Sequence, residues 1–277
     1  DFVMAYTQAP IETDLYMEIP YGIETTTGNT RDYVLQLLAN IYGQKQAGRV
    51  WNQFLVQKLE SIGFTQSRID ECVFYREDVI FIVYVDYGIF LGQSDDQLTG
   101  IIKELTEIGL EVEDQGHPAD YVGVNIKRLP DGSYAFSQKT LIDAIIADVG
   151  LTPNDYTKPV PAKCTQRLHA FLDSPPFNQE WNYRSVVGKL NYLAQTSRPD
   201  ILYATHMAAK YASNPRKEHG EAIVYIVKYL KATRLIGLHF KPDASKGFQC
   251  YCDTDFAGNW NKKLRRLMLW MKLCITK

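Results

Sequence analysis

The chain has 277 residues and a mass of 31.7 kDa, enough for one large domain or two of ordinary size. Hydrophobic residues make up 45% and charged residues 22% of the sequence, a composition that excludes an intrinsically disordered chain. No apolar run approaches the ~20 residues that a membrane-spanning helix needs, so we expect no membrane span.

An amphipathic helix and a hairpin are predicted within the first hundred residues. Apolar residues between 44 and 62 recur at helical spacing, and Gly63 is a typical C-terminal helix signal. The β-branched and aromatic run 79–85 predicts a strand, and 89–91 continues in the same character. The short break between them places Asp86 at the tip of a β-hairpin.

The rest of the chain alternates between helical and strand patterns. The turn sequence Pro130-Asp131-Gly132 predicts a second hairpin, and the first 150 residues are therefore predicted to be α+β with antiparallel hairpins. The predicted elements are, in chain order, a helix at 98–108, strands at 121–127 and 133–137, a helix at 140–149, a proline-rich linker at 151–180, helices at 182–195, 200–212 and 217–232, and strands at 236–240 and 248–252.

The net charge of −2 conceals an uneven distribution along the chain. Residues 1–180 contain 13 Lys and Arg against 26 Asp and Glu, whereas residues 181–277 contain 17 against 6. A basic surface beside an acidic one indicates a polyanion held next to a cation-binding site. Two solvated faces with an accidental distribution would give the same counts, so charge alone leaves both interpretations open.

The cysteines point to an intracellular location. Five occur, an odd number, and no two form a C-x-x-C pair. This pattern argues against a zinc cluster or a disulfide framework and favours reduced thiols.

Three aspartates lie where a strand meets a turn or where the chain opens. They are Asp1, Asp86 and Asp253. A carboxylate at a strand end is partly desolvated yet accessible, and two of them from adjacent strands can bind Mg²⁺. Such a site would support phosphoryl transfer. Aspartate is also common in turns because its side chain caps its own backbone, so each residue alone is compatible with a purely structural role.

The collinear order of several motifs carries a resemblance to a known family. Asp1-x-x-x-Ala-Tyr6, followed about eighty residues later by Tyr84-x-Asp86, resembles the palm of reverse transcriptases. Further segments are similar to copia-type retrotransposon sequences, and the resemblance runs to about Trp260. In order they are DLYMEIP at 14–20, IYGQKQAGRVWN at 41–52, YVGVNI at 121–126, YRSVVGKLNYL at 183–193, RPDI at 198–201, YLKAT at 229–233 and YCDTDFAG at 251–258.

The resemblance implies roles for individual residues of a polymerase site. Asp1 and Asp86 match the two metal-binding aspartates, and the implied cofactor is Mg²⁺. Tyr6 matches the aromatic residue that lies under the incoming sugar, although a core aromatic on a strand would look the same. Lys45 and Gln46 match the segment beside the nucleotide and template, although an exposed lysine there is also compatible with a solvated surface charge.

The resemblance also implies a fold class and a domain organisation. The fold would be α+β, with a palm whose antiparallel sheet carries helices on one face, a mostly helical connection region, and the truncated start of an RNase H-like domain with Asp253 as its first carboxylate. The implied segments are a palm without its fingers at 1–150, a linker at 151–180, a helical connection region at 181–245, the RNase H-like start at 246–260 and a divergent tail at 261–277. Asp1 and Asp86 should lie on neighbouring strands, with the 44–62 and 98–108 helices on the other face of the sheet.

The chain departs from the family pattern at four places. Tyr87 stands where the family has a second aspartate, and Gly48 replaces a proline. The basic fingers that would precede Asp1 are expected to be missing. The tail 261–277 contains no acidic residue, which predicts either a translation that has left its frame or a basic helix on a membrane surface. Tyr87 and the missing fingers imply impaired catalysis.

The function implied by the resemblance is RNA-directed DNA synthesis. Its partners would be an RNA template, a DNA primer, a dNTP and other segments of a Pol polyprotein, in a cytoplasmic retrotransposon particle and without a membrane. A non-catalytic nucleic-acid-binding remnant and a decayed fragment without function are the alternatives. The basic residues expected to contact nucleic acid in the helical region include Arg184, Lys189, Arg198, Lys210, Lys228 and Lys231.

Overall fold

The computed structural model describes residues 1–23, 33–163 and 168–241. The chain forms two compact units, Asp1–Tyr121 (the first unit) and Val122–Lys277 (the second unit). The predicted strand 248–252, the RNase H-like start at 246–260, Asp253 and the tail 261–277 lie outside the described residues. In the part of the chain that is described, no helix has the length and apolarity to cross a membrane.

The first unit is built from short strands and two long helices. Its elements are α1 (Ala5–Gln8), β1 (Tyr16–Glu18), β2 (Val34–Gln36), α2 (Ala47–Ser61), β3 (Thr65–Gln66), β4 (Val73–Arg76), β5 (Val79–Tyr84), β6 (Tyr87–Leu91), α3 (Asp95–Glu107) and β7 (Asp120–Tyr121).

The central sheet of the first unit is antiparallel, with the strand order β3-β4-β5-β6. Along β5 the buried residues alternate with more exposed ones, so Val79, Phe81 and Val83 face the core. Helices α2 and α3 contribute to that same hydrophobic cluster through residues such as Leu55 and Leu105. Both predicted helices therefore pack on one face of the predicted hairpin, and the α+β class with antiparallel sheets is confirmed.

Helix α2 begins three residues later and ends one residue earlier than predicted. Residues 45–46 form a turn ahead of Ala47. At the other end Gly63 has a φ of +88°, a left-handed conformation that glycine adopts without strain. The Phe64 N–H then donates to the Leu59 carbonyl at 3.0 Å, which satisfies an otherwise unpaired carbonyl of the last helical turn.

The second unit is mostly helical in its described part. It contains β8 (Val124–Arg128), β9 (Tyr134–Ser137), α4 (Lys139–Asp148), α5 (Tyr183–Thr196), a short 3₁₀ turn at Pro199–Ile201, α6 (Leu202–Ala209), α7 (Lys217–Ala232) and β10 (Leu238–Phe240). Strands β8 and β10 both pair antiparallel with β9. The predicted second hairpin, the three helices and the strand near 236–240 are thus present.

The unit boundary falls after Tyr121, well before residue 150. Helix α4 explains the difference, because its buried residues Ile142 and Ile145 belong to the hydrophobic cluster formed by α5, α6 and α7. The predicted linker also packs there, since Leu151 and Phe177 lie against the same cluster. Its described residues contain no helix or strand and lie against the helices.

Candidate active site

The candidate site is organised around the turn that carries Asp86. Tyr84 pairs with Tyr87 across the β5–β6 hairpin, which leaves Val85 and Asp86 as a two-residue turn. Val85 has a φ of +59°, a conformation that is rare and strained for a β-branched residue. Two-residue hairpin turns with a positive φ at the first position normally place glycine there.

Two long-range hydrogen bonds fix this turn. The indole N–H of Trp51, on α2, donates to the Val85 carbonyl at 2.8 Å. The Phe2 N–H donates to the Asp86 carbonyl, also at 2.8 Å. Trp51 and Phe2 are both buried and their rings contact each other edge to face. The core therefore holds the backbone of Asp86 in one position.

The same contact brings Asp1 beside Asp86. Phe2 forms an isolated antiparallel bridge with Val112, and the Asp1 nitrogen and carbonyl both bond to Glu113, at 2.9 and 2.8 Å. Asp1 thus immediately precedes the residue that hydrogen-bonds to Asp86. The two aspartates adjoin, although Asp1 lies next to an isolated bridge and not within a regular strand.

The chemistry of this pair suits a divalent cation. One carboxylate oxygen of Asp1, Oδ1, is buried and has no hydrogen-bond partner, which is unfavourable unless a ligand supplies one. Carboxylate oxygens are the ligands that Mg²⁺ prefers. Within the described residues, however, no three His, Cys, Asp or Glu side chains come together as a metal site. Asp1 and Asp86 could therefore hold an ion only as a pair, with Tyr87 contributing no carboxylate.

Two tyrosines lie close to this carboxylate pair. The Tyr6 ring stacks on the Tyr42 ring, with centroids 4.4 Å apart. Partial burial raises the pKa of Tyr42, and the nearby carboxylate of Asp86 raises it further. Gly48, which stands in place of the family's proline, faces the Tyr6 hydroxyl, because a Cβ there would lie 3.5 Å from it. Tyr6 is half-buried, and its stack on Tyr42 is its link to the residues around Asp86.

The other predicted residues of the first unit lie around this turn or at the start of α2. Lys45 and Gln46 form the turn that precedes the helix, and Lys45 is exposed. Tyr87 is 49% exposed. Together with Asp1 it lines a groove of about 560 Å³ that runs between β6 and residues 112–121.

Several basic residues predicted to bind nucleic acid already have partners inside the second unit. Arg198 is only 1% exposed, and its guanidinium donates to Asp200 and Thr233. The Lys231 ammonium donates to three backbone carbonyls, those of Thr152, Pro153 and Asp155. The remaining contacts are Lys189 with Asp148, Arg184 with the Ala212 carbonyl and Lys210 with the Met207 sulfur. The Lys228 ammonium lies over the Tyr156 ring, 3.8 Å from its centroid, and forms no ion pair with another described residue.

The fold and the paired aspartates define an α+β protein with antiparallel sheets and a candidate two-carboxylate site. Comparison with known families gives the class: residues 1–164 match the family described as reverse transcriptase (RNA-dependent DNA polymerase). The chain belongs to this family, and its relatives identify it as the copia type.

Several of the similar curated proteins come from transposons. The Pol polyprotein of transposon RE1 from Arabidopsis thaliana is 29% identical over 92% of this chain, which covers 17% of that polyprotein. The Pol polyprotein of transposon TNT 1-94 from Nicotiana tabacum is 27% identical over 94% of the chain and 20% of the polyprotein. A transposon Ty5-1 protein of Saccharomyces cerevisiae is 25% identical over 92% of the chain and 82% of its own length. No solved structure matches the chain.

The sequence reasoning missed three features of the site. The helical spacing of residues 44–62 predicts an apolar helix face that includes Trp51, but not that Trp51 holds the Asp86 turn. The backbone strain at Val85 and the position of Tyr42 beside Asp86 also went unpredicted. A tryptophan near the start of α2 in the IYGQKQAGRVWN segment was the one available signal.

Proposed function

We propose that this chain is the polymerase part of a copia-type reverse transcriptase, and that Asp1 and Asp86 hold the Mg²⁺ ions of RNA-directed DNA synthesis. The observation that carries the proposal is the hydrogen bond from Phe2 to Asp86, which places Asp1 next to Asp86. The unpartnered Oδ1 of Asp1 supports it, because a cation would supply the missing partner.

Each residue around the pair has a task in this proposal. The Asp1 and Asp86 carboxylates would hold Mg²⁺, which would supply charge neutralisation to the reacting phosphate. The stacked rings of Tyr6 and Tyr42 border the space for the nucleotide sugar. The exposed ammonium of Lys45 attracts the negative charge of the triphosphate or the template.

Tyr87 lowers the activity of this copy in our proposal. It occupies the position of a second turn carboxylate and brings a bulky ring in place of a negative charge. Weaker charge neutralisation around the ions costs transition-state stabilisation, and each ~1.4 kcal/mol lost is a factor of ten in rate. We expect the chain to extend a primer at a rate close to background.

The relatives support the proposed substrates and setting of the reaction. An RNA template, a DNA primer and a dNTP are the proposed partners, together with neighbouring segments of a Pol polyprotein in a cytoplasmic particle. The chain spans less than a fifth of the RE1 polyprotein, so other parts of that polyprotein would act alongside it. The proposed RNase H-like start, with Asp253, rests on the resemblance of residues 246–260.

Primer extension on an RNA template tests the proposal. Four full-length chains would be assayed with Mg²⁺ and dNTPs. They are the natural sequence, the single variant Tyr87→Asp, and two double variants that add Asp86→Asn or Asp78→Asn to Tyr87→Asp. Asp78 is a matched control because it lies in the other tight turn of the same sheet, between β4 and β5. We expect Tyr87→Asp to raise extension at least about tenfold, a gain that Asp86→Asn abolishes and Asp78→Asn leaves intact. No gain in Tyr87→Asp, or an equal loss in both double variants, would contradict the proposal.

A non-catalytic nucleic-acid-binding function is the second candidate, and the charge of the two units favours it. The first unit contains 7 Lys and Arg against 20 Asp and Glu, whereas the second contains 23 against 12. The formal net charge is therefore −13 for the first unit and +11 for the second. A basic domain of this kind attracts phosphate backbones even where no chemistry takes place.

A further inference from the structure

Three lysines and two tyrosines form a compact cluster on the second unit (the lysine–tyrosine cluster). Its members are Tyr156, Lys158, Lys163, Tyr225 and Lys228. The Lys228 and Lys158 ammonium groups lie 3.8 and 4.6 Å from the centroid of the Tyr156 ring. Lys158 and Lys163 lie 5.0 and 5.8 Å from the centroid of the Tyr225 ring. The cluster thus gathers three positive charges around two aromatic rings.

The fold holds this arrangement in place. Tyr225 and Lys228 are three residues apart on α7 and therefore share one face of that helix. The segment carrying Tyr156 and Lys158 lies against it, because the Lys158 N–H donates to the Lys228 carbonyl at 3.3 Å. Two ammonium groups over one ring are closer than the ~10 Å Debye length at 0.1 M salt, so they repel each other.

The electrostatics of the cluster leave positive charge for a ligand. None of its three lysines forms an ion pair among the described residues, whereas Lys139, Lys217 and Lys241 do. Asp155 is an acidic neighbour of Lys228, and its carboxylate already accepts the N–H and the hydroxyl of Thr152, at 2.7 and 2.8 Å. The cluster therefore keeps an excess of two positive charges.

We propose that the lysine–tyrosine cluster binds single-stranded nucleic acid, with phosphates on its lysines and a base against Tyr156. Tyr156 is 64% exposed, and phosphates that draw the Lys158 and Lys228 ammonium groups away from its ring would free that ring for a base. Lysines interleaved with exposed aromatic rings are the combination that binds unpaired strands without sequence preference. An acidic peptide would use the lysines but would leave the exposed ring without a function. The proposal rests on the proposed function for its choice of nucleic acid as ligand, and it adds a contact away from Asp1 and Asp86.

Fluorescence anisotropy with a labelled dT₁₂ oligonucleotide and the full chain tests the proposal. The triple variant Lys158→Gln, Lys163→Gln, Lys228→Gln should bind at least about tenfold more weakly at low salt, and its slope of log affinity against log salt should fall by about 2. The control variant Lys139→Gln, Lys217→Gln, Lys241→Gln removes the same charge from ion-paired lysines and should change affinity far less. Equal weakening by both triple variants would overturn the proposal.

Variants of the exposed Tyr156 distinguish base stacking from simple charge attraction. Tyr156→Leu should weaken dT₁₂ binding at least about fivefold, whereas Tyr156→Phe, which keeps the ring, should bind as the natural chain does. The proposal would also be overturned if Tyr156→Leu bound dT₁₂ as tightly as the natural chain does. Competition by polyglutamate of the same charge that was as effective as competition by dT₁₂ itself would overturn it too. Thermal unfolding of each variant confirms that it is folded. Failure of primer extension by a chain that still binds dT₁₂ in this way would count against the polymerase proposal alone.

Discussion

Val85 and Trp51 show how a distant side chain can hold a strained functional turn. A valine at a φ of +59° costs on the order of 1–3 kcal/mol, and the turn has this shape because packing and hydrogen bonds determine it. The Trp51 indole supplies one of those bonds, to the Val85 carbonyl itself. The residue that positions Asp86 therefore comes from a helix more than thirty residues earlier in the chain.

Removing that indole N–H gives the first prediction. Trp51→Phe keeps an aromatic ring in the core but leaves the Val85 carbonyl without its donor, and we expect a loss of about 1–3 kcal/mol in the free energy of unfolding. Urea denaturation measures it. Trp181→Phe is the matched control, since its indole N–H donates only to the exposed Gln179 side chain. Similar losses in the two variants would show that the Val85 bond has no special importance.

Gly88 gives a second prediction at the residue scale. It lies directly after Tyr87 on β6, and a Cβ there would be 2.5 Å from Cε2 of the fully buried Phe81 ring. Gly88→Ala should therefore destabilise the first unit by about 1–3 kcal/mol through overpacking. Gly100→Ala in α3 is the control, because a Cβ there meets nothing within 4 Å. Gly100→Ala should raise the free energy of unfolding by about 0.5–1 kcal/mol. Urea denaturation measures both variants, and a change of the same sign in their free energies of unfolding would contradict the account.

At the scale of elements, His219 secures the start of α7. Its Nδ1 accepts the Arg216 N–H at 2.8 Å, and its Nε2 lies 2.8 Å from the His169 carbonyl. This pattern requires a neutral ring with the proton on Nε2. The ring is buried and stacks on Tyr211, and burial lowers the pKa of His219 below its ordinary value of 6.5.

The third prediction follows from the sign of that shift. Because the pKa is lower in the folded state, the unfolded chain binds the proton first as the pH falls below about 6.5. The contribution of His219 to the free energy of unfolding should therefore be fully present above that pH. Below it the free energy of unfolding should decrease, by at most about 1.4 kcal/mol per pH unit for this one group. Urea denaturation between pH 7.5 and 5.5 measures the slope. His219→Gln should reduce this slope. A part of the slope should remain, because burial also lowers the pKa of His206. An unchanged slope would contradict the assignment.

The elements differ in how well the sequence predicts them. Helices α2, α3, α5 and α7 are long enough for the 3.6-residue period to show, and the β5–β6 hairpin follows from its β-branched run. Strands β1 and β2 were not predicted, because three residues are too few for an alternation to be visible. Helix α1 has only four residues and follows Met4 at a φ of +48°, a conformation that no local signal indicates.

At the scale of the whole molecule, composition predicted the charge asymmetry but not the unit boundary. Residues 122–180 carry equal numbers of basic and acidic side chains, so the charge change gave no sign that they belong with the basic helices. The boundary depends on packing of α4 against α5 and α7, which is a long-range property. The same holds for the candidate site. Its aspartates were predictable from a motif, whereas the roles of Trp51 and Tyr42 depend on contacts that only the fold creates.

Manganese binding tests the central claim, that Asp1 and Asp86 form a metal-binding pair which Tyr87 leaves incomplete. Mn²⁺ replaces Mg²⁺ as the probe, and electron paramagnetic resonance measures the free ion during titration of the full chain. The account predicts weak binding by the natural sequence, and binding at least about tenfold tighter in Tyr87→Asp because a third carboxylate is added. Asp1→Asn or Asp86→Asn in that background should abolish the gain, and Asp78→Asn should not. Unchanged affinity in Tyr87→Asp, or a gain that survives the loss of Asp86, would contradict it.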